Sequence, residues 1–417
     1  CLFALSDLMN AKTCIETLCE KYPQFADTYT EFLNLYDKRL WYQLTVALVD
    51  FTQKEENYVT DNMIILYAGF IANCEARFDA LEYAMLVCNI SRQYYPDYLN
   101  TLEFIKQVGD VGEAKTVFRN HIERKETTVP LENNMLSRRD KIGESAFIRY
   151  VLEVAWLYVK LNQTDMALEY LEEVKSLLDH QPIPSSRLYS IFYRVSIDLS
   201  RSTDDVDMIY KNSIKWLAYT PLSSMTTEEK NVIVRDLLKC ALLSQDVYSF
   251  SDILTAETRT IASQGGYPWL YELLLLVNKG EVGRWREAKE LYGAMMRNDP
   301  AFLAKMPVVD EKVALLALLA LVFKRPTTER CLRFEEIADC CQIAMENIES
   351  FLIRGASLGL FKCTINQIEQ KVVFTWLQPR VLDPEQVATM SAMMKNWSQS
   401  IHDTLLYVTK MATESAN

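Results

Sequence analysis

Glycine and proline are both scarce in this 417-residue chain, at eleven and twelve residues, against usual shares of roughly 7% and 5%. Few positions can therefore turn sharply, so a loop-rich or all-β design is disfavoured and long helices with short connections are expected. A surplus of positive charge is also missing: the formal net charge is −12. That argues against the whole chain binding nucleic acid or an anionic membrane, both of which need a basic footprint. No apolar run is long enough to span a bilayer, since the longest, VALLALLALVF at Val313–Phe323, has eleven residues where about 20 are needed. It reads as a buried helix. The opening residues CLFALSDLMN have no basic lead and meet Asp7 early, so no signal peptide is expected, and without an initiator Met some upstream residues are expected to be missing.

Cysteine is present but unpatterned, at positions 1, 14, 19, 74, 88, 240, 331, 340, 341 and 363 with no CxxC. These are expected to be reduced thiols serving as small buried apolar residues. The sequons at Asn89, Asn162 and Asn396 would then stay unglycosylated. Together these features predict a soluble, acidic, mainly helical protein with room for two or three domains.

What is present is one helical pattern after another from residue 28 to about 325. Several segments set Ala ahead of larger residues four and seven positions on, the spacing of the second helix of a tetratricopeptide-like repeat. GRWREAKELYGAMMRNDP, Gly283 to Pro300, does so with Ala288, Tyr292 and Met295. Asp165 to Leu178 does so with Ala167, Leu171 and Val174, and GEAKTVF from Gly112 and FDALEYAMLV from Phe78 are fainter copies. Four such segments favour a stacked helical array over unrelated amphipathic helices. Three interruptions are predicted: an exposed loop at 125–141 containing Pro130 and Arg138-Arg139, a proline-broken connection at 180–186, and a turn at 223–229 leading into a helix.

Beyond Pro326 the pattern changes. A short helix is predicted from Phe334, with Phe334, Ile337 and Ala338 inward, then a turn, then a helix over Glu346–Phe361. Two strand-like runs follow, Lys362–Ile368 and Val372–Leu377, joined by a polar turn at Glu369-Gln370. Helix, turn, helix and two-stranded wing make a winged helix-turn-helix pattern. Phe374 and Trp376 are expected on one face of the second strand, at least one of them packed on the core. Pro379 ends the strand, Arg380 is a candidate for holding the corner, and Asp383-Pro384 reads as a helix start. Between Cys331 and Arg380 six carboxylates face five cations, and Glu346 and Glu349 occupy the first turns of the candidate recognition helix. Phosphate would be opposed there, so protein contacts are the better reading.

From Val387 the apolar positions Val387, Met390, Met394, Trp397, Ile401, Val408 and Met411 step by 3, 4, 3, 4, 7 and 3. This is a heptad seam. One helix cannot bury it alone; it either folds back on its own domain or, the favoured expectation, joins helices of other chains in a bundle.

Arg325-Pro326, FEEIA at 334–338, Gly359-Leu360 and TWLQPRVLD at 375–383 together resemble the PCI domain of the proteasome regulatory lid. LYDKRLWYQLTVALVDF at 35–51 is similar to the amino-terminal region of one such family. The likeness is strong over 310–383 and 32–51 and weaker between; the 125–141 loop looks like an insertion, and 1–27 has no clear counterpart. A generic PCI pattern would also suit a COP9 signalosome or translation-initiation scaffold, but TWLQPRVLD favours the lid.

The resemblance implies a mainly α fold. A right-handed α-solenoid of tetratricopeptide-like hairpins is expected over 28–310, its part from about 200 forming the helical half of the PCI domain. A winged helix with a small β wing is expected over 311–383 and a bundle helix over 384–417, behind an amino-terminal extension at 1–27. The implied role is a non-catalytic lid scaffold in ubiquitin-dependent proteolysis, in cytoplasm and nucleus. Its implied neighbours are non-ATPase regulatory subunit 12, the inactive metalloprotease-like subunit 7 and the ubiquitin receptor subunit 4.

No enzyme pattern competes with this. Only His121, His180 and His402 exist, without His-x-His spacing for zinc; there is no GxxxxGK[ST] and no GxSxG. A Cys–His pair such as Cys240 with His180 has no local support, and Asp204-Asp205-x-Asp207 reads as a solvated helix start or turn. No cofactor or metal is expected. The rival of a different class is a winged-helix regulator that binds nucleic acid through Lys362 and Lys371.

Overall fold

The computed structural model describes residues 11–109, 111, 144–180, 185–250, 252–297, 299–325, 330–378 and 384–415. The predicted loop at 125–141, with Arg138-Arg139, the GEAKTVF segment and Arg380 lie outside the described residues. The chain divides into two compact units, Cys1–Thr227 and Glu228–Asn417.

The first unit is helical: α1 (Ala11–Lys21), α2 (Ala26–Asp37), α3 (Trp41–Gln53), α4 (Asn62–Leu66), α5 (Ala80–Ile90), α6 (Tyr98–Gly109), α7 (Glu144–Lys160), α8 (Thr164–His180), α9 (Ser186–Ser202) and α10 (Val206–Tyr219). Its centre is α7, which packs against α5, α6, α8 and α9. Neighbours on so many sides explain why Phe147, Tyr150, Val151, Val154 and Leu157 are all buried, along with almost every residue between them. Even the i,i+4 pair Arg149–Glu153, at 2.8 Å, lies inside. In α8 the Ala167, Leu171 and Val174 spacing does what the repeat signature predicts: all three are buried.

Capping residues set the helix starts. Asp79 accepts from the Glu82 N–H ahead of α5, and Asp205 accepts from Asp207 and Met208 ahead of α10. The acidic run at 204–207 is thus a helix start. Asn89 is buried and its Nδ2 donates to Thr52 Oγ1 at 3.4 Å, so this sequon is a core residue. The nine described cysteines are free thiols.

The second unit opens with α11 (Thr227–Leu243), α12 (Ala256–Gln264), α13 (Pro268–Lys279), α14 (Val282–Leu291), α15 (Gly293–Arg297) and α16 (Pro300–Phe323). Here one expectation is corrected. The segment from Gly283 is two helices that break at Tyr292, so the phase slips and Met296 is buried while Met295 is exposed. In VALLALLALVF the residues from Val313 to Leu319 are buried within α16 while Phe323 at its end is exposed, and no helix among the described residues is long and apolar enough to cross a membrane. One continuous helix, α16, runs through residues 310 and 311, where the sequence reading places a domain boundary. At the end of α13, Gly280 has φ +69° and approaches α16 so closely that a Cβ would meet the Ala317 backbone at 2.7 Å.

The winged helix follows: β1 (Cys331–Arg333), α17 (Phe334–Cys341), α18 (Ile348–Ser357), β2 (Phe361–Asn366) and β3 (Lys371–Leu377). The wing is a three-stranded antiparallel sheet ordered β1-β3-β2, not the expected pair. β1 escaped notice because three residues with one buried Leu332 carry no alternation to read. The second helix ends earlier than expected, at Ser357; Leu360 and Phe361 are both buried, and Phe361 already opens β2 on its core side. Leu332, Phe334, Ile337, Ile348, Leu352, Phe361, Val372 and Phe374 form the core of this module. The final helix, α19 (Pro384–Ser415), begins at the predicted proline and runs 32 residues.

Candidate functional site

In the cleft of the first unit, about 1130 Å³, Trp41 and Tyr42 of α3 face Arg187 of α9 and Tyr219 of α10. Arg187 Nη1 reaches Glu82 Oε1 at 2.6 Å, and the Arg77 guanidinium lies 4.9 Å from the Trp41 ring. These charges are engaged with protein partners, and the lining holds no His or Cys that could act as base or nucleophile. Among the described residues no group of three His, Cys, Asp or Glu side chains could hold a metal ion. His402 is exposed on α19. Nothing here assembles a reaction centre, and the functional question moves to surfaces.

The principal surface is α19. At 1.5 Å per residue it is about 48 Å long. Every described side chain from Val387 to Thr409 is exposed, so the helix does not fold back on its own unit. Val387, Met390, Met394, Trp397, Ile401 and Val408 all face solvent, with Trp397 at 69% exposure. Met411 has no described side chain. Polar groups on the helix bond within it: Gln399 Nε2 donates to Asp403 at 3.0 Å, and Thr404 Oγ1 donates to the Ser400 carbonyl at 2.7 Å. A contiguous exposed apolar strip along a helix is the kind of surface that marks a protein–protein contact.

The heptad reading missed part of this surface. Leu405, Leu406, Tyr407 and Val408 are all exposed. At 100° per residue four consecutive apolar side chains point to all sides of the helix. The signal was available in the run LLYV, but a seam counted only in steps of three and four passes over it. The amino-terminal part of α19 is therefore apolar along one stripe, and its turn at 405–408 is apolar on all sides.

The wing separates two residues that the sequence reading placed together. β2 pairs with β3 as Cys363↔Phe374 and Lys362↔Trp376, so Thr375 is an unpaired extra residue. A bulge of this kind shifts the alternation by one. Phe374 stays inward, 3% exposed, with its ring edge-on to Phe361 at 5.2 Å. Trp376 is turned to the outer face, where the Lys362 ammonium sits 5.9 Å from its ring. Thr375 Oγ1 donates to the Lys362 carbonyl at 3.1 Å and pins the bulge.

A further determinant is Arg325, quoted above only as part of a motif. Its Nη1 donates to the Cys331 carbonyl at 2.8 Å and its Nη2 to Glu336 Oε2 at 3.1 Å. It thereby ties the edge strand β1 to the start of α17. Burial raises the Glu336 carboxyl, but the Arg333 backbone N–H and the Arg325 guanidinium outweigh that and hold it below its ordinary value. Glu349 in the first turn of α18 is half-buried, and Glu346 in the turn just before it is exposed, which keeps that end negative.

Two family models match the chain: PSD13 N-terminal repeats over residues 28–274 and the PCI domain over residues 296–376. Among curated proteins it is similar to 26S proteasome non-ATPase regulatory subunit 13 homolog B of Arabidopsis thaliana, 27% identical over 402 residues. That match covers 96% of this chain and 97% of the relative. It is similar also to the 26S proteasome regulatory subunit RPN9 of Saccharomyces cerevisiae, 24% identical, with 93% and 94% covered. A partial likeness, 24% over half of this chain and 44% of the relative, links it to translation initiation factor 3 subunit M of Coccidioides immitis.

Proposed function

Because the chain belongs to the PSD13 family of proteasome regulatory subunits, we propose that it acts as a non-catalytic scaffold of the 26S proteasome regulatory-particle lid. A role in the regulatory particle follows from the homology itself. In the scaffold reading, the winged helix joins neighbouring PCI subunits and α19 enters a bundle with their carboxy-terminal helices. The neighbours proposed are non-ATPase regulatory subunits 12 and 7 and ubiquitin receptor subunit 4, in cytoplasm and nucleus.

The domain division offered with this reading is a repeat arm at 28–310, a winged helix at 311–383 and a bundle helix from 384, with 1–27 as an extension. Val387, Met390, Met394, Trp397, Ile401 and Val408 are the proposed seam, Phe374 supports the wing from inside with Trp376 on its outer face, and Arg380 is the proposed holder of the corner between strand and helix.

The observation that carries this reading is the exposure of every described side chain of α19 from Val387 to Thr409. Fully burying a Val, Leu, Ile or Met side chain is worth about 1.5–3 kcal/mol, so a helix with this many wet apolar groups gains strongly from partners. The four-sided apolar band at 405–408 favours enclosure by several helices over a single one. Deleting 384–417 should leave the remainder folded by circular dichroism but absent from affinity-purified lid. Incorporation at the full-length level would overturn the scaffold reading.

A further inference from the structure

The outer face of the wing sheet is built from residues that neither support the winged-helix core nor belong to the seam of α19. Strand register places Cys331, Val373 and Thr364 in one row and Arg333, Lys371 and Asn366 in the next. Beyond the bulge, Lys362 stands opposite Trp376. Leu332, Val372 and Phe374 point the other way and are buried. The outer face therefore carries three cations, Arg333, Lys362 and Lys371, around an apolar strip of Val373 and Trp376, which are 46% and 42% exposed.

None of the eight residues in these rows is a carboxylate, although the chain as a whole has a net charge of −12. Two acids flank the face. Glu369 in the β2–β3 turn lies 3.1 Å from Lys371 Nζ. Glu336 accepts from Arg325 at 3.1 Å and from the Arg333 backbone N–H at 3.2 Å. The face thus remains a local patch of positive charge with apolar contact area at its middle.

We propose that this sheet face docks an acidic segment of a partner protein in which carboxylates alternate with apolar side chains. The carboxylates sit on Arg333, Lys362 and Lys371, and the apolar groups lie against Val373 and Trp376. Charge complementarity supplies the register, and the apolar strip supplies the contact area. A nucleic-acid strand fits less well. The face offers one aromatic platform, whereas strand-tracking sites stack successive bases. This surface is separate from the seam of α19, so the two assignments can fail independently.

The test is fluorescence anisotropy on the purified full chain. The probe is a labelled synthetic peptide of alternating glutamate and leucine, with a lysine–leucine peptide and oligothymidylate as comparisons. The glutamate peptide should bind and weaken with added salt. It should weaken by about tenfold or more in the triple variant Arg333→Glu, Lys362→Glu, Lys371→Glu, which removes three charge-assisted contacts. Thr364→Lys, which adds a cation to the central row, should tighten it. Bound peptide should also slow maleimide labelling of the exposed Cys331, read by mass spectrometry of the Cys331 fragment. Equal binding by the wild type and the triple variant would overturn the proposal, because the three cations would then play no part in binding. Equal binding of the lysine peptide, or tighter binding of oligothymidylate, would overturn it as well. The Thr364→Lys and Cys331 readouts remain decisive should the triple variant fold poorly.

Discussion

Lys312, 1% exposed on α16, donates from its ammonium to the Ala241 carbonyl at 2.7 Å. The same Nζ donates to the Ser244 carbonyl at 3.0 Å and lies 5.4 and 5.1 Å from the Tyr248 and Phe250 rings. Ala241 belongs to the last turn of α11, whose final carbonyls have no partner within the helix. A buried cation from the middle of a long apolar helix thus closes the end of its neighbour, where the helix dipole is negative.

Replacing this residue by an apolar one of similar reach removes those bonds and leaves buried carbonyls unsatisfied. Lys312→Met should lower stability by about 1–3 kcal/mol, measured by urea unfolding of the full chain. A variant as stable as the wild type would mean that water or rearrangement satisfies the end of α11.

The bulge at Thr375 predicts unequal roles for two aromatic neighbours. Phe374→Ala should cost about 3–5 kcal/mol by opening a cavity beside Phe361, whereas Trp376→Ala should stay within about 1 kcal/mol. Thermal unfolding monitored by circular dichroism separates them. Similar losses at both sites would contradict the outward orientation of Trp376.

Gly280 and Gly266 both have positive φ, +69° and +78°, but a Cβ at Gly266 would meet nothing within 4 Å. Gly266→Ala should therefore cost only the backbone strain, about 1 kcal/mol. Gly280→Ala adds a clash with the Ala317 backbone and should cost clearly more. Matching denaturation midpoints for the two variants would contradict the close approach of α13 to α16.

The Arg325–Glu336 pair predicts a modest pH effect. The folded Glu336 carboxyl titrates below its ordinary 4.5, so it contributes stability above that value and loses the contribution as pH falls through its lowered folded value. Both groups are partly exposed, which limits the effect to below about 1 kcal/mol. Arg325→Ala should destabilise the wing near neutral pH, with the ion-pair share of that loss shrinking below pH 4.5. A difference that grew on acidification would show that the pair does not act in this way.

Leu406 distinguishes a bundle from a two-stranded coil. In a coil it lies opposite the seam and faces water, and Leu406→Asp should be tolerated; in an enclosing bundle it should abolish lid incorporation, as Trp397→Asp should. Co-purification with tagged lid, beside a melting temperature unchanged from wild type, is the measurement.

Legibility in the sequence followed periodicity. Ala167, Leu171 and Val174 could be assigned to a buried face because one uninterrupted helix keeps their spacing. Met295 could not, because the break at Tyr292 resets the phase and Met296 takes its place inside. β1 was invisible for want of length, and Trp376 was misassigned because a single unpaired Thr375 reverses which side chains face inward. The seam of α19 was readable as a seam, yet the broader apolar band at 405–408 needed attention to all sides of the helix.

Scarce turn residues, helical spacing and the change of pattern beyond Pro326 by themselves determined that this chain is a helical array ending in a winged helix and a long amphipathic helix. These are local properties, set by which side chains recur along the backbone. The tertiary structure decided what depends on neighbours distant in sequence: that β1 completes the sheet, that Lys312 closes α11, that Trp376 faces outward, and that α19 keeps its apolar side chains in water. Burial is a property of pairs of surfaces, and only the folded chain brings those surfaces together or leaves them apart.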